Sequence, residues 1–296
     1  MIKIDTAGPS GADYEAWRRR AVKRRDKDIK KWIADGKPCP GPEPSQKLWK
    51  DFKELFLDKV FYSKCAYCEA NHSAGFPAHV EHYRPKLLVT EARNAINHPG
   101  YFWLAYEWEN LLLSCNNCNT LHSFVRDGQK VSRPGKWNEF KIKKQRVAEP
   151  SADPDKWSEE LKAEEPLLLN PYFDNPSEHI YFLEGKEHFG MFYHLTREGE
   201  ETIEACDLNR LPLVEARKKI TGRAMRRVER ALKYLELILE EDDPELELKK
   251  NETLEAEVKK RIEELLQFGS STEFSAWLNV YARREYERRV DRMTRE

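Results

Sequence analysis

The chain has 296 residues, 40% of them apolar and 35% charged, which suits a globular protein of one large or two smaller domains and excludes a disordered one. No run of about 18 apolar residues occurs, so no membrane span is expected. The net charge of -1 argues against binding polyanions over the whole surface.

The opening residues, Met1-Ile-Lys-Ile-Asp-Thr-Ala-Gly-Pro-Ser10, carry no apolar signal core, and a cytoplasmic location is the expectation. An N-terminal helical segment is expected over 1–62. Tyr14 to Ala34 reads as a basic amphipathic helix marked by Trp17, Ala21 and Trp32. Gly36-Lys-Pro-Cys-Pro-Gly-Pro-Glu-Pro44 ends it. Ser45 then caps a second helix to about Val60, with Leu48, Phe52, Leu55 and Phe56 at helical spacing.

Residues 63–146 form the densest cluster of chemistry. They contain Cys65-Ala-Tyr-Cys68, His79-Val-Glu-His-Tyr-Arg-Pro-Lys86, the aromatic run Tyr101 to Trp108, and Glu109-Asn110 before Cys115-Asn-Asn-Cys118-Asn119. The aromatic run suits either base stacking or packing under a small module, and packing is the reading preferred. After Asn119 a helix is expected through Leu121, Phe124 and Val125, followed by a basic loop near Arg133-Pro-Gly135. Basic residues concentrate at 14–35 and 121–146, which hold nine and eight Lys or Arg against four and two acids. In 147–296, His179 to Leu183 and Met191 to Leu195 alternate as two short strands joined near Glu184-Gly185-Lys186. Helices follow on Met225, Val228, Leu232, Leu235 and Leu239, then on Leu254, Val258, Ile262 and Leu265, and last on Phe274, Trp277, Leu278 and Tyr281. The breaks fall at Asp242-Asp-Pro244 and Gly269-Ser-Ser. The expected class is α+β, mostly helical.

Six cysteines in a reducing compartment point to metal ligands before disulfides. Cys65, Cys68, Cys115 and Cys118 make two Cys-x-x-Cys pairs, the donor set of a closed structural Zn2+ site; Cys39 and Cys206 stand alone. Between the pairs lie groups of another kind. Phosphodiester hydrolysis needs a base and a divalent cation. The imidazole of His82 suits the first role, and the oxygens of Glu81 and Asn119 suit Mg2+ or Mn2+. Asn110 is placed as the brace of the loop that carries His82. His122 is a further candidate ligand, and His79 a neighbour.

Cys-x-x-Cys, Glu81-His82 followed by Arg84-Pro85, Glu109-Asn110-Leu111 before a second Cys-x-x-Cys, and a ligand directly after Cys118 resemble the HNH, or His-Me finger, nucleases. The resemblance implies a zinc-stapled ββα-metal core with helical extensions, His82 as general base, Asn110 orienting the hairpin, and Glu81 and Asn119 on the catalytic metal. The chain departs from the family pattern in having Asn119 where the final His stands and Glu81 for the commoner Asp. His79-Val-Glu-His-Tyr-Arg-Pro-Lys86, Tyr101 to Asn110, Leu169-Asn-Pro171 and Leu208-Asn-Arg210 further resemble the PtuB family, HNH effectors of Septu and retron-linked anti-phage systems. That resemblance implies a PtuA-like ATPase partner of the ABC or SMC type, and a homodimer within a larger complex is a further expectation. No Walker motif occurs here, so ATP chemistry belongs to the partner.

Arg84, Lys86 and the basic strip from Arg126 to Arg146 are expected to meet the nucleic-acid backbone. DNA is the expected substrate, with RNA such as tRNA left open. The competing reading is a zinc-knuckle docking module for nucleic acid or protein in which Glu81-His82 is inert.

Overall fold

The computed structural model describes residues 1, 3–71, 78–120, 122–126, 129–133, 135–182, 189–240, 252–269, 271–272 and 274–293. They belong to two compact units, one of Met1–Tyr181 with Met191–Arg210 and one of Phe182–Gly190 with Leu211–Glu296.

The first unit opens on helix α1 (Ala12–Ala34), whose buried face carries Tyr14, Trp17, Ala21 and Trp32. These positions recur at helical spacing, so one face of the helix packs inward. Trp17 stacks on Phe52 at 4.4 Å, and its Nε1 donates to the Leu48 carbonyl at 2.8 Å. Both contacts fix α1 against α2 (Gln46–Phe52). A π-helical turn, Lys53–Leu57, and α3 (Asp58–Val60) carry the chain from there toward Cys65. Many α1 cations are neutralised within the unit: Arg18 and Arg25 by Glu107, Arg20 by Asp51, Arg24 by Asp28 and Lys31 by Asp35.

Strand β1 (His79–His82) comes next, then the two-residue strands β2 (Thr90–Glu91) and β3 (Asn94–Ala95), which pair with each other. β4 (Leu111–Ser114) pairs antiparallel with β1 in the register His79↔Ser114 to His82↔Leu111. Every residue of β4 is buried, which the run Leu111-Leu-Leu-Ser114 allows because it offers apolar groups to both faces. Tyr101 to Tyr106 are buried without exception, so the aromatic run is core. Tyr101, Phe102 and Trp103 pack with ring centroids 5.3 to 5.4 Å apart.

After β4 a single helical turn, α4 (Asn116–Asn119), stops at Thr120, whose φ of -111° and ψ of 159° are extended. The helix expected through Leu121, Phe124 and Val125 does not form. β5 (His122–Arg126) and β6 (Gln129–Arg133) instead pair antiparallel from His122↔Arg133 to Arg126↔Gln129. Asp127-Gly128, the intervening sequence, is a dipeptide favoured in two-residue hairpins, and Val125 and Val131 are β-branched. Further on lie α5 (Trp157–Lys162), the paired strands β7 (Ile180–Phe182) and β8 (Phe192–His194), and α6 (Arg197–Ala205), capped by the Thr196 side chain on Gly199 N. The proposed strand junction at Glu184-Gly185-Lys186 lies outside the described residues.

The second unit is built on α7 (Leu211–Glu240), α8 (Glu252–Leu266) and α9 (Ser275–Met293). α7 buries Leu213, Val214, Ile220, Ala224, Val228, Ala231 and Leu232. Met225 and Leu235 of the expected stripe are half-buried, because the small residues Ala224 and Ala231 lie on the inward face. The Leu239 side chain and the break at Asp242-Asp-Pro244 fall outside the described residues. Arg217 is buried, donating to the Gly190 carbonyl at 3.0 Å beneath the Phe274 ring. No described helix is long and apolar enough to cross a membrane.

Candidate metal centre and catalytic hairpin

Each cysteine pair sits on a tight backbone turn. In the first, Glu69 N donates to Cys65 O at 2.9 Å and Cys65 N to Ala70 O at 3.0 Å, while Ala66 N reaches across to Leu113 O on β4 at 2.8 Å. In the second, Cys118 N and Asn119 N both donate to Cys115 O, at 3.1 and 3.0 Å. The turns converge, and the four sulfurs lie within 4.8 Å of one another. Cys68 Sγ and Cys115 Sγ are 3.8 Å apart. A zinc–sulfur bond of about 2.3 Å in a tetrahedron sets sulfurs about 3.8 Å apart, so the four thiols are close enough to share one metal ion. Burial first, and the neighbouring thiols next, hold Cys118 well above the usual thiol range. A cation among them would remove that penalty.

Arg210 lies against this cluster. Its Nη1 is 3.4 Å from Cys118 Sγ and its Nη2 is 3.7 Å from Cys115 Sγ. The carbonyls of Cys206 and Asp207 hold it there at 3.1 and 3.0 Å. Burial opposes its charge, but Cys118, Cys68 and Cys115 outweigh burial and raise its pKa. Four thiolates around a divalent ion leave net negative charge, which a guanidinium accepting nothing and donating to sulfur offsets. Sequence spacing gives no hint of this role, because Arg210 lies 92 residues from Cys118.

The β1–β4 hairpin grows out of the cysteine cluster. Ser114, paired with His79, has its Oγ 3.7 Å from Cys65 Sγ. At the other end Asn110 closes the loops beside His82: its Oδ1 accepts from Arg84 N at 2.7 Å, and its Nδ2 donates to Arg84 O and Leu104 O at 3.1 and 3.2 Å.

Glu81 and His82 are both 4% exposed. As successive strand residues they meet different neighbours. The His82 ring stands edge-on to Trp49 at 4.7 Å, with Nε2 3.3 Å from the Ala105 carbonyl. That carbonyl also accepts from Trp49 Nε1 at 2.6 Å. Burial, with the Lys86 ammonium next, pushes His82 well below the usual imidazole range, so the ring is neutral. Glu81 Oε1 lies 2.6 Å from Lys136 Nζ, an ion pair without the alignment of a hydrogen bond. Burial raises the Glu81 carboxyl, and Lys136 opposes that shift.

Lys136 is wholly buried. Its Nζ also donates to His82 O at 2.9 Å, and its backbone N donates to Cys118 O at 2.8 Å. Gly135 makes this approach possible, since a Cβ there would lie 2.3 Å from Thr120 O. Trp137 N donates to Asn119 O at 2.6 Å. The half-buried Asn119 makes no side-chain hydrogen bond among the described residues, so its amide oxygen is available to a ligand.

The two cations expected at a phosphate backbone have partners within the protein. Arg84 Nε pairs with buried Glu164 at 3.1 Å and Nη2 donates to Leu161 O at 2.7 Å. Lys86 Nζ lies 4.8 Å from the centre of the Trp49 ring. His79 is exposed at the start of β1, and the His122 side chain lies outside the described residues.

These features define an α+β protein with a four-cysteine cluster that buttresses a hairpin bearing a buried neutral imidazole and a buried carboxylate. Over 170 residues the chain is homologous to the Septu protein PtuB of Bacillus mycoides (strain KBAB4), at 36% identity, covering 55% of this chain and 49% of that protein. It is also 30% identical over 170 residues to the Septu protein PtuA of the same strain, covering 56% of this chain and 20% of the relative. The chain thus spans about half the length of the first relative and a fifth of the second. Each match takes more than half of this chain, so the two matched stretches overlap. No protein-family model and no solved structure matches the chain.

Proposed function

We propose that this chain is a metal-dependent endonuclease of the HNH type that hydrolyses phosphodiester bonds in DNA, with residues 63–146 as its catalytic core. The observation that carries the reading is His82, a neutral imidazole kept by burial and by its contact with Ala105 O, on the strand that also carries Glu81. A proton on Nε2, assigned from the hydrogen bond to Ala105 O, leaves Nδ1 basic. Nδ1 then takes the proton from the attacking water.

Cys65, Cys68, Cys115 and Cys118 hold a structural Zn2+, which their sulfur spacing fits. Glu81 and the free amide oxygen of Asn119 are hard donors that fit Mg2+ or Mn2+; Glu81 Oε1 lies 2.6 Å from Lys136 Nζ, so a cation there would share that oxygen with the ammonium or displace it. That cation, when bound, supplies charge stabilisation to the phosphate and the leaving oxygen. Asn110 keeps the His82 loop in register with β4, and Trp49 fixes the tilt of the imidazole. Arg84 positions the hairpin through Glu164.

Homology to PtuB supports a role in a Septu anti-phage system; in this reading the chain is its effector, in the cytoplasm, and works with a PtuA-like ATPase. The test is to incubate the purified chain, with and without that ATPase, with plasmid DNA and with total RNA in Mg2+ or Mn2+. Metal-dependent nicking of plasmid supports the proposal. Zinc binding without cleavage of either nucleic acid contradicts it.

A further inference from the structure

Helix α7 carries Lys219, Arg223, Arg226, Arg230 and Lys233, all exposed. Their spacing of four, three, four and three residues places them within an arc of about 80° along about 21 Å of helix, at 3.6 residues per turn and 1.5 Å per residue. Among the described residues none of the five is in an ion pair. The nearest paired cation is Lys218, which meets Glu215 at 3.1 Å. Glu229 and Glu236 fall to one side of the arc. On α1, Arg18, Arg20, Arg24, Arg25 and Lys31 have acidic partners, while Arg19, Lys23, Lys27 and Lys30 are exposed and in no ion pair among the described residues; the row on α7 is the longer of the two. Five unneutralised charges in a row on a chain of net charge -1 raise the helix's self-repulsion, and a polyanion relieves it.

We infer that this face of α7 is a docking surface for the phosphate backbone of duplex DNA. The choice of DNA rests on the nuclease reading, and the choice of a duplex rests on the stripe itself. A straight row of charges matches a stiff polyanion with a phosphate every ~3.4 Å on each strand. Single-strand binders interleave aromatic side chains on which bases stack, and the arc contains none. With no base-reading group in the arc other than the arginines themselves, the surface binds backbone without sequence preference.

The experiment uses the full chain with His82→Ala, so that bound DNA is not cut. Fluorescence anisotropy follows binding to a duplex of about 30 base pairs between about 50 and 200 mM salt. Arg223→Gln/Arg226→Gln/Arg230→Gln is expected to weaken binding at least tenfold at about 100 mM salt and to lower the slope of log K against log salt by about 2.7, roughly 0.9 per lost phosphate contact. The triple Arg→Lys variant keeps the slope. All three positions are exposed, so circular dichroism should show native helix in both variants. An unchanged slope in the Gln variant, an equal loss in the Lys variant, or tighter binding of an RNA duplex or a polyglutamate chain than of DNA overturns the proposal. Cleavage is scored separately with His82 intact. Salt-dependent docking through α7 without metal-dependent cleavage overturns only the nuclease reading, and cleavage with an unchanged slope overturns only this one.

Discussion

Lys136 Nζ and Glu81 Oε1 stand 2.6 Å apart, with both side chains almost wholly removed from water. The same ammonium donates to the carbonyl of His82, and the Lys136 backbone is bonded to Cys118. One residue therefore ties the cysteine cluster to the strand that presents the imidazole. Removing one partner of a buried pair leaves a stranded charge at a cost of about 3–5 kcal/mol. Lys136→Met should lose about that much in denaturant unfolding, and Lys136→Met/Glu81→Gln should recover part of it. Additive losses in the double-mutant cycle would show the pair to be uncoupled.

Removal of the metal tests the thiolate cluster. One zinc ion per chain is expected by elemental analysis, and Cys118→Ser should abolish it together with the native fold. Arg210→Gln should leave the fold intact and weaken zinc retention against a chelator by about 10- to 100-fold, the range for residues that support metal ligands.

Asn110 satisfies one backbone N–H and two carbonyls with a single amide. Asn110→Ala should cost about 1–3 kcal/mol for the groups left without partners. Hydrogen exchange at Arg84 N should rise with it. Loss of stability without faster exchange there would place the role of Asn110 elsewhere.

The pH dependence of stability follows from His82. Its folded pKa is depressed by burial, so between that value and about 6.5 the unfolded chain binds the proton and the folded chain does not. Stability from this group is present above about pH 6.5 and falls with acidification by about 1.4 kcal/mol per pH unit. His82→Gln should lack this component when the two proteins are unfolded side by side at pH 7 and at lower pH.

The residues legible in the sequence are those that stand in a short motif of their own. Cys-x-x-Cys spacing marks a metal knuckle by itself, and Glu81-His82-Tyr-Arg-Pro and Glu109-Asn110-Leu are read as adjacent residues, although the strands they belong to pair across 29 to 35 residues. Trp49, Lys136 and Arg210 were not legible. They reach the site across 33 to 92 residues of sequence, and a lone Trp, Lys or Arg has no spacing to read. The helix expected after Asn119 failed for a different reason: Leu121, Phe124 and Val125 match a helical period, but the sequence Asp127-Gly128 and the β-branched valines suit a hairpin, and 122–126 pairs with 129–133 as strands. Arg84 and Lys86 carried the right charge for phosphate, yet charge alone did not reveal that Glu164 and Trp49 engage them.

The most direct measurement is plasmid cleavage by the full chain, with the proposed PtuA-like ATPase present and Mn2+ in the buffer, compared between the natural sequence and His82→Ala. A fall of at least about 100-fold in rate is expected, the contribution of a general base, with zinc content and unfolding midpoint little changed. Cleavage at the natural rate by the variant would contradict the role assigned to His82.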